Sequence, residues 1–160
     1  MTFEYLIGTA PHIIKRKLEQ LKFLRERPDY HPEPSTFEHI KIVTERLIPT
    51  GNRDLIMTGI LHDICKFDTV RMNEKTGWPT SPGHDKAASD LILNNMQVMG
   101  WITFFGANPI TVASLCEHHM RIHEFHNMRP SKQEIMRQLP FFTDLEIFGR
   151  ADNMLEPFVM

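Results

Sequence analysis

Ser35-Thr36-Phe37-Glu38-His39-Ile40-Lys41-Ile42-Val43-Thr44-Glu45-Arg46-Leu47 is the stretch that decides the fold. A serine followed three residues later by a glutamate has the form of a capping box, and Phe37, Ile40, Val43 and Leu47 then recur on one side at helical spacing. Pro28, Pro32 and Pro34 stand just before it and forbid an earlier start. The pattern predicts an amphipathic helix with His39 next to its buried stripe.

Outward from that helix the same period continues in both directions. Upstream, a helix follows Pro11, with Ile14, Leu18, Leu21 and Leu24 as its stripe and Lys15, Arg16, Lys17 and Lys22 facing water. Downstream, Pro49-Thr50-Gly51-Asn52 reads as a turn. Asp54 to about Lys66 reads as the next helix, carrying His62 and Asp63 near its C-terminal end. Residues 68–83, with Gly77, Pro79 and Pro82, have no period and read as a loop over the site. Helices are further expected over Asp85–Met99, from Asn108-Pro109 through His118 and His119, after Arg129-Pro130-Ser131, and after Pro140 with Leu145, Phe148 and Asp152 on one side. Alternation of the half-buried strand kind is missing beyond a few residues. The chain therefore reads as all-α and single-domain, an N-terminal helix in residues 1–27 packing on a helical bundle of residues 28–160.

Composition narrows the function classes. A chain of 160 residues suits one domain, and its formal charge of -2 argues against broad nonspecific grip on nucleic acid. The two cysteines, Cys65 and Cys116, lie in apolar stretches without Cys-x-x-Cys spacing, so neither a disulfide framework nor a thiolate zinc site is signalled. An acid near the N-terminus, Glu4, and the lack of any apolar run approaching roughly 18 residues predict no membrane span. A cytoplasmic protein is the expectation.

Chemistry concentrates at Leu61-His62-Asp63-Ile64-Cys65-Lys66. Apolar neighbours draw the His-Asp pair toward the interior, where an unpaired charge is expensive and a metal ion would offset the cost. Taken alone, the pair is equally a helix-end histidine beside a solvated acid, His39 a core-edge histidine and Asp152 a surface acid. Taken together, His39, His62, Asp63 and Asp152 form a mixed imidazole and carboxylate set suited to a divalent transition metal. His84, at a helix start after Gly83, and His118 or His119 are the candidates for a second ion or for phosphate contact and protonation of the leaving oxygen. The sequence does not choose between His118 and His119, and His123 and His126 read as surface or supporting residues. Lys66, one turn after His62, is the candidate to neutralise phosphoryl charge, with Arg121 and Arg150 as further phosphate contacts and Arg71 and Lys75 at an entrance.

In the order His39, His62-Asp63, Asp152 the chain resembles the HD superfamily of metal-dependent phosphohydrolases. It is more closely similar to the C-terminal HD domain of bacterial tRNA nucleotidyltransferases, through Tyr30-His31-Pro32-Glu33, Glu38-His39, His62-Asp63-Ile64-Cys65-Lys66, Gly83-His84-Asp85, Ala87-Ala88 and His119-Met120-Arg121-Ile122-His123-Glu124-Phe125. The likeness covers roughly residues 28 to 155. Two departures stand out: these 160 residues contain no counterpart of the transferase catalytic domain, and Cys65 stands where that family usually has glycine. The resemblance implies an HD-type helical bundle, one or two divalent ions (manganese, nickel, cobalt, iron, zinc and magnesium all suit) and hydrolysis of a phosphomonoester or phosphodiester. Catalysis would fall to Asp63, Lys66 and His84, with a nucleotide or nucleic-acid terminus as substrate, a 2',3'-cyclic phosphate among the options. Alternatives are a nucleoside mono- or triphosphate phosphohydrolase of the nucleotide pool and a noncatalytic nucleotide- or partner-binding module. A homo-oligomer through the apolar stripe of the first helix is a further expectation.

Overall fold

Ser35 Oγ accepts the Glu38 N–H at 3.2 Å, and the helix it opens, α3 (Thr36–Leu47), buries Ile40, Val43 and Leu47 completely. That is the expected start, with half of the reciprocal capping box in place. The computed structural model describes residues 1–159, and they form one all-α domain. α4 (Arg53–Leu61) follows Asn52, whose side chain accepts the Leu55 N–H at 3.2 Å. Every α4 residue from Leu55 to Leu61 is buried, so this helix is the centre of the bundle. It packs closely on α3 because Gly59 carries no side chain: a Cβ there would meet Thr44 Oγ1 at 3.0 Å and Thr44 Cα at 3.1 Å.

Around α3 and α4 the remaining helices close the core. α6 (His84–Leu93) lies along α8 (Pro109–His123), and α8 also packs on α4 and on α10 (Phe142–Asp152). α9 (Pro130–Arg137) connects the last two, opened by Pro130 at its first position. At the N-terminus, α1 (Phe3–Gly8) and α2 (His12–Leu21) add Phe3, Leu6, Ile14, Leu18 and Leu21 to the same continuous core. The α2 stripe, Leu24 included, is buried in the chain's own interior. Among the described residues no single helix is long and apolar enough to cross a membrane.

Four expected boundaries move. α1, ahead of the helix expected after Pro11, is a separate short helix capped by Thr2, whose hydroxyl accepts the Tyr5 N–H at 3.1 Å. The expected helix Asp54–Lys66 stops at Leu61, and a second short helix, α5 (Lys66–Thr69), begins after a turn. Asp85–Met99 is broken at Asn94-Asn95, since Asn94 Nδ2 donates to the Asp90 carbonyl and Asn95 caps a new helix, α7 (Met96–Phe104), by accepting the Val98 N–H at 3.0 Å. Residues 68–83, expected as loop, contain α5's end and a small antiparallel hairpin, β1 (Arg71–Met72) with β2 (Pro79–Thr80), in the register Arg71 to Thr80.

Candidate metal centre

The break after Leu61 is what aims the His-Asp pair. His62 keeps one more helical bond, its N–H to the Thr58 carbonyl at 2.8 Å, and then Ile64 and Lys66 bond three residues back, to Leu61 and Asp63. Within this tightened turn both His62 and Asp63 point into the bundle and are buried. α3 contributes His39, α6 contributes His84 from its first residue, α8 contributes His119 and the last turn of α10 contributes Asp152. Five elements therefore converge on one buried polar cluster, as helix bundles build metal sites.

Each histidine is oriented by its far nitrogen. Nδ1 of His62 faces the Gly59 carbonyl at 2.9 Å, Nδ1 of His84 the Ser81 carbonyl at 2.8 Å, Nδ1 of His119 the Cys116 carbonyl at 2.6 Å, and Nδ1 of His39 the Glu33 carboxylate at 2.5 Å. All four partners only accept, so all four Nδ1 atoms carry the proton and four Nε2 lone pairs are left for the cluster. Those lone pairs meet two carboxylates, and nothing among them is a donor unless a ring takes an extra proton. Such a convergence of acceptors is what a cation resolves.

The distances fit a metal. Bonds of roughly 2.0–2.2 Å at tetrahedral or octahedral angles put neighbouring ligand atoms about 2.8–3.6 Å apart. On one side, His39 Nε2 lies 2.7 Å from Asp152 Oδ1 and 3.4 Å from His62 Nε2, and His62 Nε2 lies 3.2 Å from both Asp152 Oδ1 and Asp63 Oδ2. On the other, His84 Nε2 lies 3.1 Å from His119 Nε2 and from Asp63 Oδ1, with His119 Nε2 3.4 Å from that oxygen. Asp63 thus turns one oxygen to each half. Residues His39, His62 and Asp152 form one group that can hold an ion and Asp63, His84 and His119 a second, with Asp63 Oδ2 reaching the first group at 3.2 Å from His62 Nε2 and 3.5 Å from His39 Nε2.

Protonation follows from the same packing when no ion is bound. Burial works against a charged His62, but Asp63 and Asp152 raise its ring to about 10. Burial likewise opposes charge on His39, which Asp152 and Glu33 nonetheless raise to about 9. His119 goes the other way, lowered chiefly by burial despite the hydrogen bond to Asp63. Both aspartates would be raised by burial, yet the neighbouring cations hold Asp63 and Asp152 well below the usual carboxylate range.

Several expected site residues sit elsewhere. His118 faces away from the cluster: its Nδ1 bonds the Ser114 carbonyl at 2.8 Å and its ring meets the edge of Phe141. Neighbours on a helix diverge by about 100°, so α8 can turn only one of the pair inward, and that one is His119. Arg150 is exposed and lines a separate groove with Ile122 and Phe125, while Arg121 is exposed and lines neither cavity at the cluster. Arg71 and Lys75 are exposed on the hairpin. Lys66 was expected as a free cation one turn beyond His62. It is instead buried, paired with Glu26 and 3.4 Å from Asp63 Oδ2, and although burial lowers its ammonium these carboxylates raise it. Its hydrogen-bond partner is Glu26, and Asp63 is the second carboxylate beside it.

Two supporting residues, Glu33 and Glu26, escape the sequence reading, while His123, read as a surface or supporting residue, takes the supporting place. Glu33 is buried, and although burial would raise its carboxyl, hydrogen bonds from His31 and His39 hold it at about 2. Glu26 anchors Lys66, and His123 reaches Asp152 Oδ2 with Nε2 at 2.8 Å from a partly exposed position at the cavity mouth. The one available signal for Glu33 was its place between Pro32 and Pro34, where no helix can hold it on a surface. Cys65 and Cys116 are buried free thiols, pushed up by that burial, and belong to the core. Compared with protein-family models, with curated proteins and with solved structures, the chain matches none.

Proposed function

We propose that the chain is a metal-dependent phosphohydrolase, of the kind its resemblance to HD enzymes implies, acting on a phosphomonoester or phosphodiester of a nucleotide or nucleic-acid terminus. One observation carries the reading: Asp63 turns one oxygen to His39 and His62 and the other to His84 and His119, and with His39, His119 and Asp152 it lines an open cavity of about 460 Å³. A divalent pair held there supplies Lewis-acid polarisation of phosphoryl oxygens and activation of water. The protein's own part is positioning. Backbone carbonyls and Glu33 fix the four imidazoles, Lys66 keeps Asp63 ionised, and His123 holds the outer oxygen of Asp152 so that its inner oxygen stays turned to His39 and His62.

Metal analysis joined to a phosphate-release screen tests this. Purified protein should bind two equivalents of manganese, cobalt or zinc and release phosphate, or open a 2',3'-cyclic phosphate, only when loaded. A protein that binds nucleotide yet turns over neither cyclic, mono- nor triphosphate with any of these metals or magnesium would be a binding module. Saturated activity with a single equivalent would reject the two-ion arrangement.

A further inference from the structure

Beside the metal centre lies a second cavity of about 460 Å³, and the two share Tyr30, His31, Lys66 and Met120 in their walls. We propose that this groove is a nucleobase pocket, with Tyr30 and Trp78 as its stacking surfaces, so that the substrate is a nucleoside bearing one phosphate group. The inference rests on the phosphohydrolase reading for where the phosphate lies, at Asp63.

Three features of the groove point to a base. First, Tyr30 and Trp78 stand outside the hydrophobic core, and Tyr30 is 58% exposed. Rings of that size left on a cavity wall contribute little to folding and much to a planar ligand. Arg27 adds its guanidinium over the Tyr30 ring at 5.4 Å. Second, the rest of the hairpin side is neutral and hydrogen-bonding, with Asn73, Thr76, Thr80 and Ser81 in the wall, which suits the donor and acceptor edges of a base. Third, the cations in the wall are engaged: Arg27 pairs with Asp29 at 2.8 Å and Lys66 with Glu26. With Glu26 and Asp85 also in the wall, the groove offers a triphosphate tail no free ammonium or guanidinium.

Trp78 is held in place rather than displayed on a loose loop. Asn73 donates its N–H to the Trp78 carbonyl at 3.0 Å, its side-chain oxygen accepts the Lys75 and Thr76 N–H groups, and Gly77 takes the left-handed φ of 73° that closes the turn. The base of the hairpin is tied to the metal centre, since Ser81 Oγ donates to the Lys66 carbonyl at 2.8 Å and the Ser81 carbonyl accepts His84 Nδ1. Stacking in the groove and ligand geometry at His84 are therefore mechanically joined.

The test compares adenosine and cytidine 5'-monophosphates with ribose 5-phosphate, which has the same ester and no base. Wild-type protein loaded with manganese should prefer the nucleotides in kcat/KM by about tenfold or more. Trp78→Ala, at a hairpin outside the core, should bring that preference close to unity by lowering kcat/KM for the nucleotides far more than for ribose 5-phosphate, with Tyr30→Ala acting in the same direction. Variants that slow the two esters equally, or neither, would overturn the pocket. Should no ester be hydrolysed, the phosphohydrolase reading fails separately, and tryptophan fluorescence decides the groove. Quenching by the nucleotides that vanishes in Trp78→Ala, where Trp101 remains, supports it, and wild-type fluorescence indifferent to them overturns it.

Discussion

Around Asp63 Oδ2, His39, His62 and Asp152 supply two imidazoles and a second carboxylate, with Glu33 behind His39 and His123 behind Asp152. Around Asp63 Oδ1 stand only His84 and His119, each braced by a backbone carbonyl. A cation in the first half meets one more full negative charge and one carboxylate-backed imidazole than a cation in the second. The halves should therefore bind a cation unequally, the first more firmly than the second. Lys66 sits on the shared carboxylate and ties the two together.

The harshest way to break this arrangement is Asp63→Asn, which keeps the shape and removes the shared charge. Both ions should be lost on dialysis and phosphate release should fall by more than about 100-fold, with helical content by circular dichroism retained. Retention of two equivalents in metal analysis would dissolve the bridging role. Next in size is a pair of variants that separates the halves. His84→Ala should keep one tightly held equivalent and lose the second, whereas His62→Ala should weaken the tight one; calorimetric titration distinguishes the two, and identical isotherms would contradict an unequal pair.

Glu33→Gln sharpens the comparison further, because it touches one half only. Affinity of the first ion should drop by about 10- to 100-fold with the second unchanged. Acid should have the same asymmetry. Without metal, the His39 and His62 rings hold protons up to about 9 and 10, and an ion must displace them, while His119, lowered by burial, has none to lose near neutrality. Affinity of the first ion should fall as pH drops, by up to about 100-fold per unit where both rings must deprotonate, and proton release on titration measures it. The stability of the metal-free protein has the matching sign: raised imidazoles stabilise it fully below their unfolded value of about 6.5, and that contribution is lost as pH rises through about 9 to 10. The thermal midpoint should accordingly decline on the alkaline side only when metal is absent. The smallest effect belongs to His118→Ala, which should leave metal stoichiometry intact and cost about 0.5–1.5 kcal/mol through the lost edge contact with Phe141.

Helical period carried most of the architecture. Ile14, Leu18 and Leu21, or Ile40, Val43 and Leu47, declare their buried face because a helix repeats every 3.6 residues whatever it packs on. What escaped were the interruptions, Leu61 to Lys66 and Asn94-Asn95, where an apolar pattern continues through a break made by hydrogen bonds to neighbouring side chains and carbonyls. The ligand candidates His39, His62, Asp63, His84 and Asp152 stood out by residue type and apolar setting, and the structure gathers them with His119 into two adjoining groups, His39, His62 and Asp152 in one and Asp63, His84 and His119 in the other. Glu33 and Glu26 did not stand out, since an acid in a polar segment looks solvated until another element covers it.

By itself the sequence determined an all-α chain, its core stripes and the set of imidazoles and carboxylates competent for a metal, because period and side-chain chemistry are local properties. Only the tertiary structure decided that α8 turns His119 rather than His118 inward, that Lys66 is committed to Glu26 and Asp63, and that Asp63 stands between two groups of ligands. Those outcomes depend on which helices face one another and at what rotation, and side chains far apart along the chain acquire their partners only when the bundle closes.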